Sequence, residues 1–306
     1  MKKLLIIPFI LVFLLSGCST VDIFYKSQKV YKKDDQKKIK LLPKQLVRID
    51  ADNSNIIIKQ NNNDELSLEY TKKILSKNEI KSQLLNEYFN EMIVDLGNQN
   101  NDNKNEVVIK SRAYLSEAIT NNNASDIKRS IDLTISIPQK SNLSIQNGNG
   151  NIFVKTLYGS LYIVNGNGNI QINEINGSLD IRNGSGNVNI DFVKGNVSIN
   201  NGNGNIESDI SQAQTISIIN NNGNITSRID KLKSYKRSII QGGNGNIKLS
   251  FTKEVSSKVL IKTSSKSIKS DFELKKLNDT YTTSIYGDNH QIDIVLGNGD
   301  IEIERE

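Results

Sequence analysis

Apolar residues in this chain come in pairs two positions apart, and over the middle third the pairs recur every nine residues. Gly150-Asn-Ile-Phe-Val is followed by Gly159-Ser-Leu-Tyr-Ile, then Gly168-Asn-Ile-Gln-Ile and Gly177-Ser-Leu-Asp-Ile. Gly186-Asn-Val-Asn-Ile and Gly195-Asn-Val-Ser-Ile continue the series. Two side chains two apart share one strand face, and the variable residue between them points the other way. Each unit therefore reads as a short strand with one buried face. Two units make a period of eighteen: N-G-N-G-N-I at 147–152 returns at 165–170 and 201–206, and as N-G-S-G-N-V at 183–188.

One such coil cannot bury its apolar face, but a stack can, which is why the pattern repeats. The spacing predicts an all-β parallel solenoid. Ile152, Ile170, Val188 and Ile206 are expected to form one buried column, and Leu161, Leu179, Val197 and Ile216 the facing one. Asn149, Asn167, Asn203, Asn222 and Asn244 are expected to ladder at the corners. Gly opens each strand where a Cβ would be costly, and Asn beside it tolerates a turn. The pattern loosens toward Asn222-Gly-Asn-Ile, Gly243-Asn-Gly-Asn-Ile and Gly297-Asn-Gly-Asp-Ile, and a faint copy, Asp52-Asn-Ser-Asn-Ile-Ile-Ile, precedes it. One solenoid domain over 46–306 is expected. Within it, Ile80, Leu84, Leu85, Tyr88, Phe89 and Met92 fall at helical spacing and predict a helix near 77–92 that covers an end or flank of the stack. Residues 97–105 and 121–124 read as loops.

The N-terminus carries different information. Lys2 and Lys3 precede an apolar run, Leu4 to Leu15, of secretory-signal length. Leu15-Ser16-Gly17-Cys18 follows, and Cys18 is the only cysteine in 306 residues. This arrangement resembles the lipobox of bacterial lipoproteins. The resemblance implies removal of 1–17, acyl chains on Cys18 and a durable hold on a membrane. Ser19, where an acidic residue would favour inner-membrane retention, implies the outer membrane in a cell that has two. Residues 18–45, rich in Lys, read as a polar tether to the domain.

Charge and composition then narrow the function. The formal charge is +6, mild for so long a chain. Basic residues are interspersed with acids, and no Arg-rich arm with interleaved aromatics is present, which argues against nucleic-acid binding. A calcium-binding nonapeptide roll needs Asp where Ile152, Ile170, Val188 and Ile206 stand, so repeated calcium sites are excluded. His290, the only histidine, reads as a loop residue and makes no metal site alone. No cofactor is implied.

Three features could carry chemistry. The second outward position after each corner runs Lys155, Asn173, Asp191, Asp209, Arg228. Asp191 and Asp209 on neighbouring coils, with Glu207 beside them, are a candidate acid–base pair for glycoside cleavage, or a solvated column flanked by Lys155 and Arg228. Phe153, Tyr158 and Tyr162 are a candidate aromatic patch for a glycan or protein, or packing against the helix. The variable outward residues Phe153, Gln171, Asn189, Glu207 and Tyr162, Asp180, Ser198, Ser217 form no uniform ladder of the kind an ice or crystal surface needs.

Ile131-Asp-Leu-Thr-Ile-Ser-Ile-Pro138, Leu143-Ser-Ile and the Gly-Asn-Gly-Asn-Ile series together resemble a bacterial family of unknown function labelled "putative adhesin", built of β-strand repeats, over roughly 46–306. That family often carries Asp where this chain has Asn; only Gly299-Asp300-Ile301 keeps it. The resemblance implies a β-solenoid on the cell envelope and transfers no catalytic residue. The expected function is a non-catalytic envelope lipoprotein that binds a protein or glycan. A periplasmic structural or stress scaffold and a carbohydrate-active enzyme using Asp191 and Asp209 remain the alternatives.

Overall fold

The computed structural model describes residues 28–42, 45–98, 106–113, 127–233, 235–264 and 267–306. Cys18 and the signal segment lie outside the described residues, as do 99–105 and 121–124.

The predicted strands form, and they alternate between two sheets. In the first, β8 (Ile152–Leu157), β10 (Ile170–Asn176), β12 (Val188–Lys194), β14 (Ile206–Gln212), β16 (Ile225–Ile229) and β18 (Ile247–Phe251) stack in parallel. In the second, β7 (Asn142–Asn149), β9 (Leu161–Asn167), β11 (Leu179–Ser185), β13 (Val197–Asn203), β15 (Ile216–Asn222) and β17 (Arg237–Asn244) do the same. Ile152, Ile170, Val188 and Ile206 are in register and at most 1% exposed. Leu161, Leu179, Val197 and Ile216 are in register on the other sheet and at most 2% exposed. The core is therefore the narrow space between the two sheets, filled by Ile, Leu and Val.

β2 (Leu46–Asn61) is a whole coil in one strand: 46–53 belong to the second sheet and 54–61 to the first. It lies between later strands. β5 (Glu106–Arg112) and β6 (Ile127–Pro138) flank it on one side, β7 and β8 on the other. The far end mirrors this. β23 (His290–Asn298) and β24 (Ile301–Arg305) insert between the β17–β18 coil and the outer pair, β19 (Ser257–Thr263) and β20 (Ile268–Ser270). Antiparallel strands close the stack. β1 (Lys29–Lys40) and β3 (Glu65–Ser76) end the first sheet, β4 (Ile93–Asn98) ends the second, and β22 (Thr280–Ile285) with β21 (Lys275–Leu277) ends it at the opposite pole. Antiparallel pairing thus ends the parallel ladder of both sheets at the β1 pole and of the second sheet at the other, where the first sheet ends on the short parallel strand β20.

The tether expectation needs correction: within 18–45, residues 29–40 are strand β1, in full register with β3. Its alternation of Tyr31 and Ile39 against the core is diluted by six lysines, which masked the strand. The helix is α1 (Ser82–Glu91), shorter than 77–92. It joins β3 in one sheet to β4 in the other and buries Tyr88 and Phe89. Lys72 Nζ donates to Phe89 O at 2.8 Å, so a cation meets a carbonyl at its C-terminal end, and Lys37 Nζ donates to Val94 O of β4 at 2.6 Å.

Every position of the N-G-N-G-N corner has its own physical task. The first Asn is buried and ladders through the interior: Asn147, Asn165, Asn183 and Asn201 each donate Nδ2 to the Oδ1 of the next coil at 3.0–3.2 Å, ending on Asn220. The first Gly permits close stacking; a Cβ on Gly166 would stand 2.3 Å from Gly148 O. The middle Asn forms the expected outer ladder, Asn167 to Asn149, Asn222 to Asn203 and Asn244 to Asn222 at 2.9–3.0 Å, with Ser185 interrupting it. The second Gly has a left-handed φ, +138° at Gly168, which only glycine adopts freely. The last Asn accepts the backbone N–H of its counterpart, as when Asn187 N donates to Asn169 Oδ1 at 2.8 Å.

Candidate functional site

The carboxylates expected to pair do not. The β12–β14 register shifts after Ile190, and Asp191 has no partner across the ladder. Asp209 is instead held by Arg228, whose Nη1 lies 3.2 Å from both carboxylate oxygens. Arg228 also reaches Asp230 at 2.6 Å and Glu306 at 2.6 Å. Three acids around one guanidinium raise the affinity of Arg228 for its proton, Glu306 most of all. Burial lifts the Asp230 carboxyl above its ordinary range in spite of Arg228. This is an ion cluster in which one guanidinium ties three acids of different coils together, the last coil to earlier ones. Glu207 is exposed and in register with Asn189 and Thr226.

His290 is not in a loop. It opens β23 and is 2% exposed. Its Nδ1 lies 2.8 Å from Lys233 O, and a carbonyl only accepts, so Nδ1 carries the proton. Nε2 lies 2.9 Å from Ser238 Oγ. Ser238 Oγ already accepts Ile216 N–H at 2.9 Å and gives its own proton to Nε2. Burial pushes the imidazole below its ordinary pKa. The pair is a Ser–His dyad in geometry, but both residues are at most 2% exposed, so it fastens the inserted coil and meets no substrate.

The aromatic patch also divides. Phe153 is on β8 of the first sheet and Tyr162 on β9 of the second. Tyr158, in the turn between them, is 37% exposed. A bond that ties α1 to the sheets runs instead to β3, from Lys72 to Phe89 O.

One lateral surface has the shape of a binding site. At the start of β7 and just before β9, β11, β13 and β15 stand short polar residues, Asn142, Ser160, Ser178, Asn196 and Thr215, which leave a trough above the Leu143, Leu161, Leu179, Val197 column. The trough is a groove of 720 Å³ crossing five coils. Ser144, Tyr162, Asp180, Ser198 and Ser217 form its side. These five are in register, so a polar side chain, differing from coil to coil, stands along the axis about every 4.8 Å. The Arg182 guanidinium sits 5.7 Å from the Tyr162 ring centroid and holds it as a wall. Ser198 Oγ lies 3.4 Å from Asp180 Oδ1. The groove offers hydroxyls, one carboxylate, one stacked ring and an apolar floor. Its one hydroxyl–carboxylate contact, Ser198 to Asp180, is long, and no histidine lines it. Among the described residues no cluster of His, Cys, Asp and Glu is disposed to hold a metal. Sequence reasoning named Tyr162 but not the groove, because small residues signal a trough only once the register is known.

A β-solenoid with a lateral groove is thus the class of protein the chain defines. Residues 45–304 match the Toastrack DUF4097 family, and the chain belongs to it. No curated protein matches. Among solved structures, a "putative adhesin" from Bacteroides fragilis is 12% identical, covers 90% of this chain and 97% of its own, and has a TM-score of 0.43. A "putative cell adhesion protein" from Clostridium sporogenes is 14% identical, with 90% and 100% covered and a TM-score of 0.26. A "putative lipid binding protein" from Parabacteroides distasonis is 10% identical, with 88% and 96% covered and a TM-score of 0.37.

Proposed function

We propose that the protein is a lipid-anchored, non-catalytic binding module of the cell envelope, displayed outward, which takes an extended protein or glycan segment along the groove of the second sheet. The observation that carries this reading is the groove itself. It runs across five coils, and Ser144, Tyr162, Asp180, Ser198 and Ser217 succeed one another along it at the pitch of the stack, which suits an elongated ligand better than a small molecule. The sequence Leu15-Ser16-Gly17-Cys18 supports the anchor. Cys18 stands 11 residues before Lys29 of β1, so the chain between them reaches at most about 40 Å. That keeps the β1 pole near the membrane and lets the opposite pole project.

The test is a screen of the full chain against matrix proteins and glycans, repeated with Tyr162→Ala and with Ser178→Arg, which fills the trough. Both variants should lose binding and keep their melting temperature. A ligand bound equally well by both variants would remove the groove from the reading. The enzyme alternative is not favoured by any contact: Asp209 is engaged by Arg228.

A further inference from the structure

Charge is not spread evenly along the sequence. Residues 231–277 contain twelve Lys and Arg against three Asp and Glu, a net of +9 where the whole chain carries +6, so the rest carries −3. With 278–306, which hold seven Asp and Glu against Arg305 alone, they build the pole opposite β1, and the pole as a whole carries +3; what matters is which cations those acids leave unpaired. Several of their cations are neutralised locally: Lys231 by Glu254, Arg237 by Asp293, and Lys248 by Glu302 and Glu304. Lys258, Lys262 and Lys275 are not; they are exposed and form no ion pair among the described residues.

Topology puts these three on one surface. Val259 and Ile261 are fully buried, so Lys258, Leu260 and Lys262 face outward from β19. Leu260 is in register with Thr282 of β22, and Thr282 with Lys275 of β21. Lys258 and Lys262 are four residues apart on a strand, about 13 Å, and Lys275 lies two strands over, about 10 Å. Lys276, the next residue, turns to the opposite side and lies 5.1 Å from the Tyr281 ring centroid. Leu277, 71% exposed, shares the outward side with Lys275.

We infer that this outer face of β19, β22 and β21 is a second binding surface, and that its ligand is an anionic polysaccharide. Three ammonium groups on flexible stems, spaced 10–13 Å apart on a flat sheet, match carboxylate, sulfate or phosphate groups strung along a polymer. They do not form the fork that a single bidentate anion needs. Leu260, Thr282 and Leu277 lie among them, and none offers a ring on which a nucleic-acid base could stack. The choice of an envelope polymer rests on the outward display proposed above. The surface lies beyond the Tyr162 groove and does not depend on it.

The experiment measures binding of the full chain in detergent to immobilised dextran sulfate, with neutral dextran as the blank. Lys258→Glu/Lys262→Glu/Lys275→Glu is compared with Lys32→Glu/Lys33→Glu/Lys38→Glu on β1, which changes the charge equally at the other pole. The first triple should weaken binding at least tenfold and flatten the salt dependence by about three counterions; the second should change it less than threefold. A Gln triple at 258, 262 and 275 with the same loss separates charge removal from misfolding by charge reversal. Equal losses at both poles, or binding to neutral dextran, would overturn the site. Tighter binding to a single-stranded oligonucleotide or to anionic vesicles would overturn the polysaccharide. Retained dextran sulfate binding by Tyr162→Ala would separate this surface from the groove, and loss would overturn its independence.

Discussion

Asn183 sits at the centre of the buried amide ladder, 4% exposed. It accepts from Asn165 Nδ2 at 3.1 Å and donates to Asn201 Oδ1 at 3.0 Å and, more weakly, to Gly186 O at 3.3 Å. Asn183→Ala removes all three. Asn201 Oδ1 is left without that donor, and Asn165 Nδ2 keeps only Gly168 O at 3.4 Å. Leaving a buried polar group unsatisfied costs about 1–3 kcal/mol, and nearly two are created. The vacated amide adds a small cavity. A loss of roughly 3–5 kcal/mol is expected. Asn203→Ala is the control: Asn203 is exposed and carries the outer ladder, so water replaces its partners and the cost should stay below about 1 kcal/mol. Urea titration followed by circular dichroism gives both values, and an unchanged m-value shows that only stability moved. If Asn183→Ala costs no more than Asn203→Ala, the inner ladder does not hold the coils together and the reasoning fails.

Other outcomes follow from the same contacts. A Cβ on Gly168 would stand 2.1 Å from Gly150 O at a left-handed φ, so Gly168→Ala should cost at least about 3 kcal/mol, whereas Gly97→Ala, with nothing within 4 Å, should leave the melting temperature within a degree or two. His290 is held neutral by burial; its folded pKa lies below its unfolded value of about 6.5, so the unfolded state binds more protons in that window. Stability should be full above about pH 6.5 and fall as the pH drops below it, and His290→Gln should flatten that slope in a pH series of melting curves. Arg228→Ala leaves Asp209, Asp230 and Glu306 facing one another, and partial exposure limits the loss to about 1–2 kcal/mol; hydrogen exchange should rise first in β24, whose end Glu306 adjoins.

The solenoid was legible because its determinants are local and repeat. Each Gly-Asn-Ile-x-Ile unit states its strand face, and the eighteen-residue period states which residue stacks on which. Both buried columns and the outer Asn ladder were therefore named correctly. The inner ladder was missed, although Asn147, Asn165, Asn183 and Asn201 recur as strictly as the outer set, because a buried Asn looks costly until its amide partners are seen. Residues 29–40 were read as tether because β1 lies at an edge, where one face is wet and lysine is tolerated. His290 was misplaced because the inserted β23 breaks the repeat: its neighbours Ser238 and Lys233 lie more than fifty residues earlier. Long-range insertion leaves no periodic trace. The same holds for Asp191 and Asp209, whose expected stacking ignored the register shift after Ile190. Charge segregation toward 231–277 was present in the sequence but was averaged away by the mild total.

The central functional claim is outward display of a binding module held by Cys18. Intact cells treated with a non-penetrating protease, alongside lysed cells, and probed with antibody to the solenoid test it most directly. Outward display predicts that intact cells lose the domain while a cytoplasmic marker survives, and that the Cys18→Ser chain is no longer retained with the membranes. A domain that persists until lysis would contradict it, and its partners would then have to be sought inside the envelope.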